Sequence, residues 1–192
     1  MEPMKNGKNS CDARIGSRDA ASAPRWFAVH VRSNFELTVY RSLQHKGYEA
    51  FLPMYSETRR WSDRTKQMDV PLFAGYVFCR IGERDRLPLV TTPGVVQLVG
   101  QGKRPTPITD NEINSIKAVM QSTLPYVPCP SFAPGTAVVV ENGPLMGVQG
   151  VLVESREERR LVISIDILNR AVSVEIDAEW VRPLGPLSAA GA

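Results

Sequence analysis

The residue types that carry chemistry are sparse in this chain, and their spacing forms no catalytic set. His30 and His45 are the only histidines. No serine, cysteine or carboxylate stands near either in a nucleophile–base pattern. Neither GxxxxGK[ST] nor a GxGxxG following a strand occurs. Gly143-Pro144 and Gly147 to Gly150 could cradle a phosphate, but they fit a turn between two strands better. Asp63, Asp69, Glu83 and Asp85 read as solvated loop charges rather than metal ligands. Cys11, Cys79 and Cys129 are far apart, odd in number and form no CxxC pair, which argues against zinc and suits a reducing compartment. The expectation is a binding protein, not an enzyme, with no catalytic residue, metal or cofactor.

Charge divides the chain. Between Phe132 and Leu184, eight acidic residues (Glu141, Glu154, Glu157, Glu158, Asp166, Glu175, Asp177, Glu179) outweigh five basic ones (Arg156, Arg159, Arg160, Arg170, Arg182). That stretch carries −3, and the whole chain carries +3, so the remainder carries +6. A basic first part can approach nucleic acid, while the acidic second part would repel phosphates. No apolar run approaches the roughly 20 residues of a membrane span. Residues 1–24 lack the apolar core of a secretory signal. A cytoplasmic monomer is expected.

These side chains must be positioned by local elements. Residues 1–24 are rich in Lys, Asn, Ser, Gly and Ala and read as a disordered extension. Trp26 to Arg32 alternates as a strand with Phe27, Val29 and Val31 on one face. Ser33 and Glu36 have the spacing of a capping box for a helix running to about Lys46, with Phe35, Val39 and Leu43 on one side and Gly47 as its stop. Tyr48 to Tyr55 reads as a strand, and Glu57 to Lys66, with Trp61, as an exposed hairpin or loop. Val70–Phe73, Tyr76–Ile81 and Val95–Val99 are extended apolar runs. Thr109 and Glu112 form a second capping box, opening a helix with Ile113, Ile116 and Met120 on one side. This order gives an α+β domain over residues 25–120, an antiparallel sheet with packed helices.

Residues 121–134 contain four prolines and are read as an extended linker, unable to continue a helix or sit inside a sheet. Four β-branched runs follow: Ala137–Val140, Gly150–Val153, Leu161–Ile165 and Ala171–Ile176. Trp180-Val181 is a short fifth. Regular short strands with turn signals predict a small all-β, five-stranded barrel over residues 135–184, followed by a disordered tail at 185–192.

Three segments, taken in order, resemble one family. Trp26-Phe27-Ala28-Val29-His30 leads into Glu36. Pro71-Leu72-Phe73-Ala74-Gly75-Tyr76-Val77-Phe78 is followed by Thr92-Pro93-Gly94-Val95. Gly135-Thr136-Ala137-Val138-Val139-Val140 is followed by Gly143-Pro144 and Gly147-Val148-Gln149-Gly150-Val151. Over about residues 25–184 the chain is similar to the NusG family of bacterial transcription elongation factors, whose N-terminal domain is followed by a KOW barrel. The resemblance implies a protein without catalytic activity that binds the clamp helices of RNA polymerase and promotes processive elongation and antitermination. It implies a polymerase-binding patch of His30, Phe73, Tyr76 and Phe78, although Phe73 and Phe78 read equally well as core. It implies non-template DNA contacts from Arg32, Arg41, His45 and Lys46, with a solvated helix face as the equal alternative. The loop near Gly82 to Pro88 would face the other side of the polymerase cleft. Ile167, Leu168, Asn169 and Arg170 align with the turn that binds a small-subunit ribosomal protein or Rho. Leu168 and Asn169 replace the usual aromatic and glycine there, and Ala74 replaces a usual proline. These departures point to a specialised member acting on particular operons. The alternative is a KOW-type RNA- or ribosome-binding protein of translation, which the −3 barrel disfavours.

Overall fold

The computed structural model describes residues 23–60, 65–102, 104–129, 135–154 and 159–184. The N-terminal extension, the C-terminal tail, Trp61 and residues 130–134 of the linker lie outside the described residues.

The first domain is built on a four-stranded sheet in the order β2-β5-β1-β6: Glu49–Phe51, Tyr76–Ile81, Arg25–Val31 and Val95–Leu98. Its central pair, β1 and β5, is antiparallel and sets His30 opposite Tyr76 and Ala28 opposite Phe78. Strand β1 alternates as its sequence requires, but both faces are covered. Val29 and Val31 pack with Val39 and Leu43 of helix α1 (Glu36–His45) and with Leu89 of α2 (Arg86–Val90). Trp26 and Ala28 pack on the other side with Ile113 and Ile116 of α3 (Asp110–Gln121). The helix α2 was not foreseen; Pro88 within so short a segment hides any helical period.

The expected strand at Tyr48–Tyr55 is broken. It ends at Phe51, and Met54–Arg60 (β3) leaves the sheet to pair with Thr65–Pro71 (β4) as a separate two-stranded ribbon. Pro53 lies at the break, and its carbonyl accepts the Leu72 N–H at 2.8 Å, closing the ribbon's root. Of the expected hairpin or loop at Glu57–Lys66, Glu57–Arg60 and Thr65–Lys66 belong to this ribbon, and residues 61–64 lie outside the described residues. A smaller two-stranded piece, β7 (Gly100–Gln101) and β8 (Arg104–Pro105), follows β6.

The second capping box is present as read. The Thr109 hydroxyl accepts the Glu112 N–H at 3.2 Å, and Glu112 Oε2 accepts the Thr109 N–H at 2.9 Å. The first is not. Phe35 occupies the cap position with no side-chain bond, because Asn34 takes a left-handed φ of 64° and turns the chain before the helix. Glu36 is released from capping and points inward.

The second domain comprises β10 (Thr136–Val140), β11 (Gln149–Glu154), β12 (Arg159–Ile165), β13 (Arg170–Glu175) and β14 (Val181–Pro183). A sixth strand, β9 (Tyr126–Cys129), joins them, giving the order β14-β10-β11-β12-β13-β9. That strand comes from the proline linker. The expectation that this stretch stays out of sheets is corrected: Pro128 sits opposite Val172 on an edge strand, where a missing N–H can face away from the ladder.

Candidate functional site

The face of the sheet shared with α3 divides into two ends. At one end Lys117 of α3 lies 4.7 Å over the Trp26 ring and 3.7 Å from a Glu49 carboxylate oxygen, fixing the helix there. Toward the other end, the β1–β5 register brings His30 and Tyr76 together, with ring centroids 5.4 Å apart. Both are half-buried. Phe73 and Phe78 lie beneath them in edge-to-face contact at 5.7 Å, and Phe78 is fully buried. Of the four aromatic positions read from the sequence, His30 and Tyr76 are thus partly accessible. Phe78 is core, and Phe73 is 1% exposed.

The loop that carries this patch is held by a residue whose role the sequence reading missed. Gly75 adopts φ +83°, which reverses the chain between Phe73 and Tyr76. Its N–H donates to Glu36 Oε1 at 2.9 Å, and its carbonyl accepts the Val31 N–H at 2.9 Å. Glu36 is itself buried. Its capping-box spacing was the visible signal, and a long-range bond to the Gly75 loop proved to be its use. Replacing Glu36 with Ala leaves the Gly75 N–H without this acceptor. A loss of about 1–3 kcal/mol in chemical denaturation is expected.

The second domain packs on this patch. A single apolar cluster runs from Trp26, Phe73, Phe78 and Ile113 through Ile163, Ile165, Leu168 and Val172 of the barrel. Polar contacts between described residues stitch the seam. Tyr126 Oη donates to the Met54 carbonyl at 3.1 Å, and the Asp166 N–H donates to Glu112 Oε1 at 3.1 Å. The Arg170 guanidinium lies 5.8 Å from the Tyr76 ring centroid. Burial, then the nearby Asp69 carboxylate, holds the Tyr126 phenol above its ordinary range, so it stays a donor at neutral pH. A cavity of about 200 Å³ remains in the seam, lined by Leu72, Phe73, Pro128, Cys129, Arg170 and Ala171.

The turn read as a partner site lies at the same seam. Leu168 is buried, Ile167 is half-buried and packed on the shared cluster, and Asn169 and Arg170 are exposed. Asn169 has φ 50°, so it supplies the left-handed turn otherwise given to glycine. Among the other candidates, Arg32, Arg41 and His45 are exposed. Lys46 is exposed but engaged: its Nζ donates to Thr92 Oγ1 at 2.7 Å and to the Pro88 carbonyl at 3.1 Å, tying α1 to the α2 region. The loop at Gly82–Pro88 leads into α2, where Leu87 is 71% exposed.

No cluster of three or more His, Cys, Asp or Glu side chains suited to a metal occurs among the described residues. Burial, with the Asp85 and Glu49 carboxylates adding to it, pushes the Cys79 thiol up to about 12, leaving it protonated and unreactive at neutral pH. No described helix is long and apolar enough to cross a membrane.

The arrangement is an α+β domain carrying the His30–Tyr76 pair, with a small all-β domain packed against it. Comparison with known proteins gives the family. The model of the family described as transcription termination factor nusG matches residues 24–117. The transcription termination/antitermination protein NusG of Yersinia pestis is 31% identical over 177 residues, covering 84% of this chain and 97% of the relative. Its Pseudomonas aeruginosa counterpart is 28% identical, covering 83% and 98%. Among solved structures, one described as domain interaction in Thermotoga maritima NusG aligns over 84% of this chain and 97% of its own, at 21% identity and a TM-score of 0.50, a likeness of fold. The chain belongs to the NusG family.

Proposed function

We propose that this chain is a transcription termination/antitermination factor that binds RNA polymerase through its first domain and promotes processive elongation on particular operons. The names of its relatives support the class of activity. The observation that carries the polymerase reading is the His30–Tyr76 pair, two half-buried aromatic rings side by side on neighbouring strands of the sheet. Rings with a polar edge make effective interface anchors once water is excluded. The clamp helices of the polymerase are the partner proposed for this surface. The exposed α2 region would make a second contact across the cleft, and Arg32, Arg41 and His45 would lie toward the non-template strand. The 167–170 turn would receive a ribosomal protein or Rho. The −3 charge of the second domain disfavours the RNA-binding alternative.

The test is capture of purified core polymerase by His30→Ala/Tyr76→Ala. Both side chains are half-buried, so the fold should survive, checked by an unchanged melting cooperativity. Loss of two interface anchors should weaken capture by at least about tenfold. Unchanged capture would sink the patch.

A further inference from the structure

Helix α1 commits a charged side chain at each of its ends to a loop far away in the chain. At its first residue, Glu36 does not cap its own helix: Phe35 holds the cap position with no side-chain bond. The Glu36 carboxylate instead accepts the Gly75 N–H at 2.9 Å, 39 residues away. At the other end, Lys46 is the C-terminal cap residue. A lysine there commonly donates to the last carbonyls of its own helix. This one donates to the Pro88 carbonyl at 3.1 Å and to Thr92 Oγ1 at 2.7 Å, 42 and 46 residues away. We infer, resting on the polymerase reading of the His30–Tyr76 pair, that Glu36 and Lys46 are positioning residues for polymerase binding. Between them they hold the Gly75 loop and the 88–92 turn on α1 as one rigid unit.

Each loop carries one of the two surfaces proposed to meet the polymerase. The Gly75 carbonyl accepts the Val31 N–H at 2.9 Å, and the Tyr76 N–H bonds back to the Phe73 carbonyl at 3.1 Å. This tight turn sets where Tyr76 leaves it, against the His30 ring. The 88–92 turn closes α2, from which Leu87 projects at 71% exposure. Thr92 is buried, and its hydroxyl donates to the Pro88 carbonyl at 3.1 Å while accepting from Lys46. Val39 and Leu43, fully buried against the sheet, seat the middle of the helix. The two charged side chains add little to that seating; they set where the loops lie relative to the helix. The ten residues of α1 span about 15 Å. Two contacts held at a fixed separation bind a rigid partner as one bivalent unit, and that gain is lost when the separation floats.

The test is titration of purified core polymerase, free of nucleic acid, against the labelled full-length chain. With no DNA present, an effect at Lys46 has no phosphate contact as its source. Glu36→Ala and Lys46→Met should each weaken binding about three- to thirtyfold while thermal unfolding stays cooperative. Glu36→Gln keeps an acceptor at the same place and should bind within about twofold of the unaltered chain. Sites about 15 Å apart with no shared partner act independently, so two merely local roles would multiply in the combined Glu36→Ala/Lys46→Met variant. One rigid unit predicts a combined loss close to the larger single loss. In the free chain, amide exchange should quicken at Gly75 in Glu36→Ala and at Thr92 in Lys46→Met, while Val39 and Leu43 keep their protection. Quickened exchange at Val39 and Leu43 as well would mark general loosening and overturn the positioning role. Unchanged binding by both single variants, a combined loss equal to the product, or no rescue by Glu36→Gln would each overturn it too. If His30→Ala/Tyr76→Ala loses capture while these variants keep it, the positioning role alone falls. If the patch variant also captures normally, the polymerase reading falls, and the positioning role falls with it.

Discussion

Polymerase should bind the intact chain about five- to sixtyfold more tightly when Arg170→Ala and Tyr126→Phe are combined. In the closed arrangement the barrel lies on the patch proposed for polymerase, so only the open fraction of molecules can bind there. Apparent affinity then scales with that fraction. Arg170 over the Tyr76 ring is worth about 0.5–1 kcal/mol at an accessible site. The Tyr126 hydroxyl bond to the Met54 carbonyl adds about 0.5–1.5 kcal/mol. Removing both shifts the opening equilibrium by their sum while leaving His30, Phe73, Tyr76 and Phe78 in place. Titration of core polymerase against labelled full-length protein measures the effect. Equal affinity for the two proteins would mean that closure does not compete with polymerase. Because Ile167 and Leu168 pack into the same seam, one opening would free the patch and the 167–170 turn proposed for a second partner together. By linkage, a ligand on either surface favours binding at the other.

How much of this was legible depended on the range of the interactions. The Thr109–Glu112 capping box was readable because both of its bonds close within three residues. The strands of the barrel were readable because β-branched runs and turn residues repeat at short spacing. The Ser33–Glu36 box had the right letters, but Asn34 turned the chain, and the Glu36 carboxylate found the N–H of Gly75, 39 residues away. The linker strand was hidden by its prolines. An edge position tolerates them, and whether a segment lies at an edge depends on β13, more than 40 residues later. The candidate site shows the same division. The pairing of His30 with Tyr76 follows from two legible strands. The burial of Phe73 beside Pro128 and Ala171 depends on domain packing that no local pattern encodes.

The glycines of the first domain allow a sharp comparison between a site that tolerates a methyl group and one that does not. Gly75 and Gly94 both have left-handed φ, +83° and +92°. Each therefore carries a conformational cost for alanine of about 1–2 kcal/mol. Their surroundings differ. A Cβ at Gly75 would meet its nearest atom, on the His30 ring, at 3.8 Å, an ordinary contact. A Cβ at Gly94 would lie 2.8 Å from Phe35 Cδ1 and 2.9 Å from Val39 Cγ2. Phe35 is partly exposed and can swing aside. Val39 is fully buried against the sheet and cannot. Relief requires α1 to move away from the turn that opens β6, and overpacking of this kind adds about 1–3 kcal/mol. Gly94→Ala should then cost about 2–5 kcal/mol in all, against about 1–2 kcal/mol for Gly75→Ala. Chemical denaturation of the two full-length variants measures both. Equal losses would show that the space around Gly94 yields and that backbone conformation alone sets the cost. The larger loss at Gly94 would locate the tightest constraint of the domain where α1, with Arg41 and His45 on its exposed side, is held against the sheet. That junction fixes the basic helix relative to the aromatic patch, so the Gly94 variant should also lose polymerase capture that the Gly75 variant largely retains.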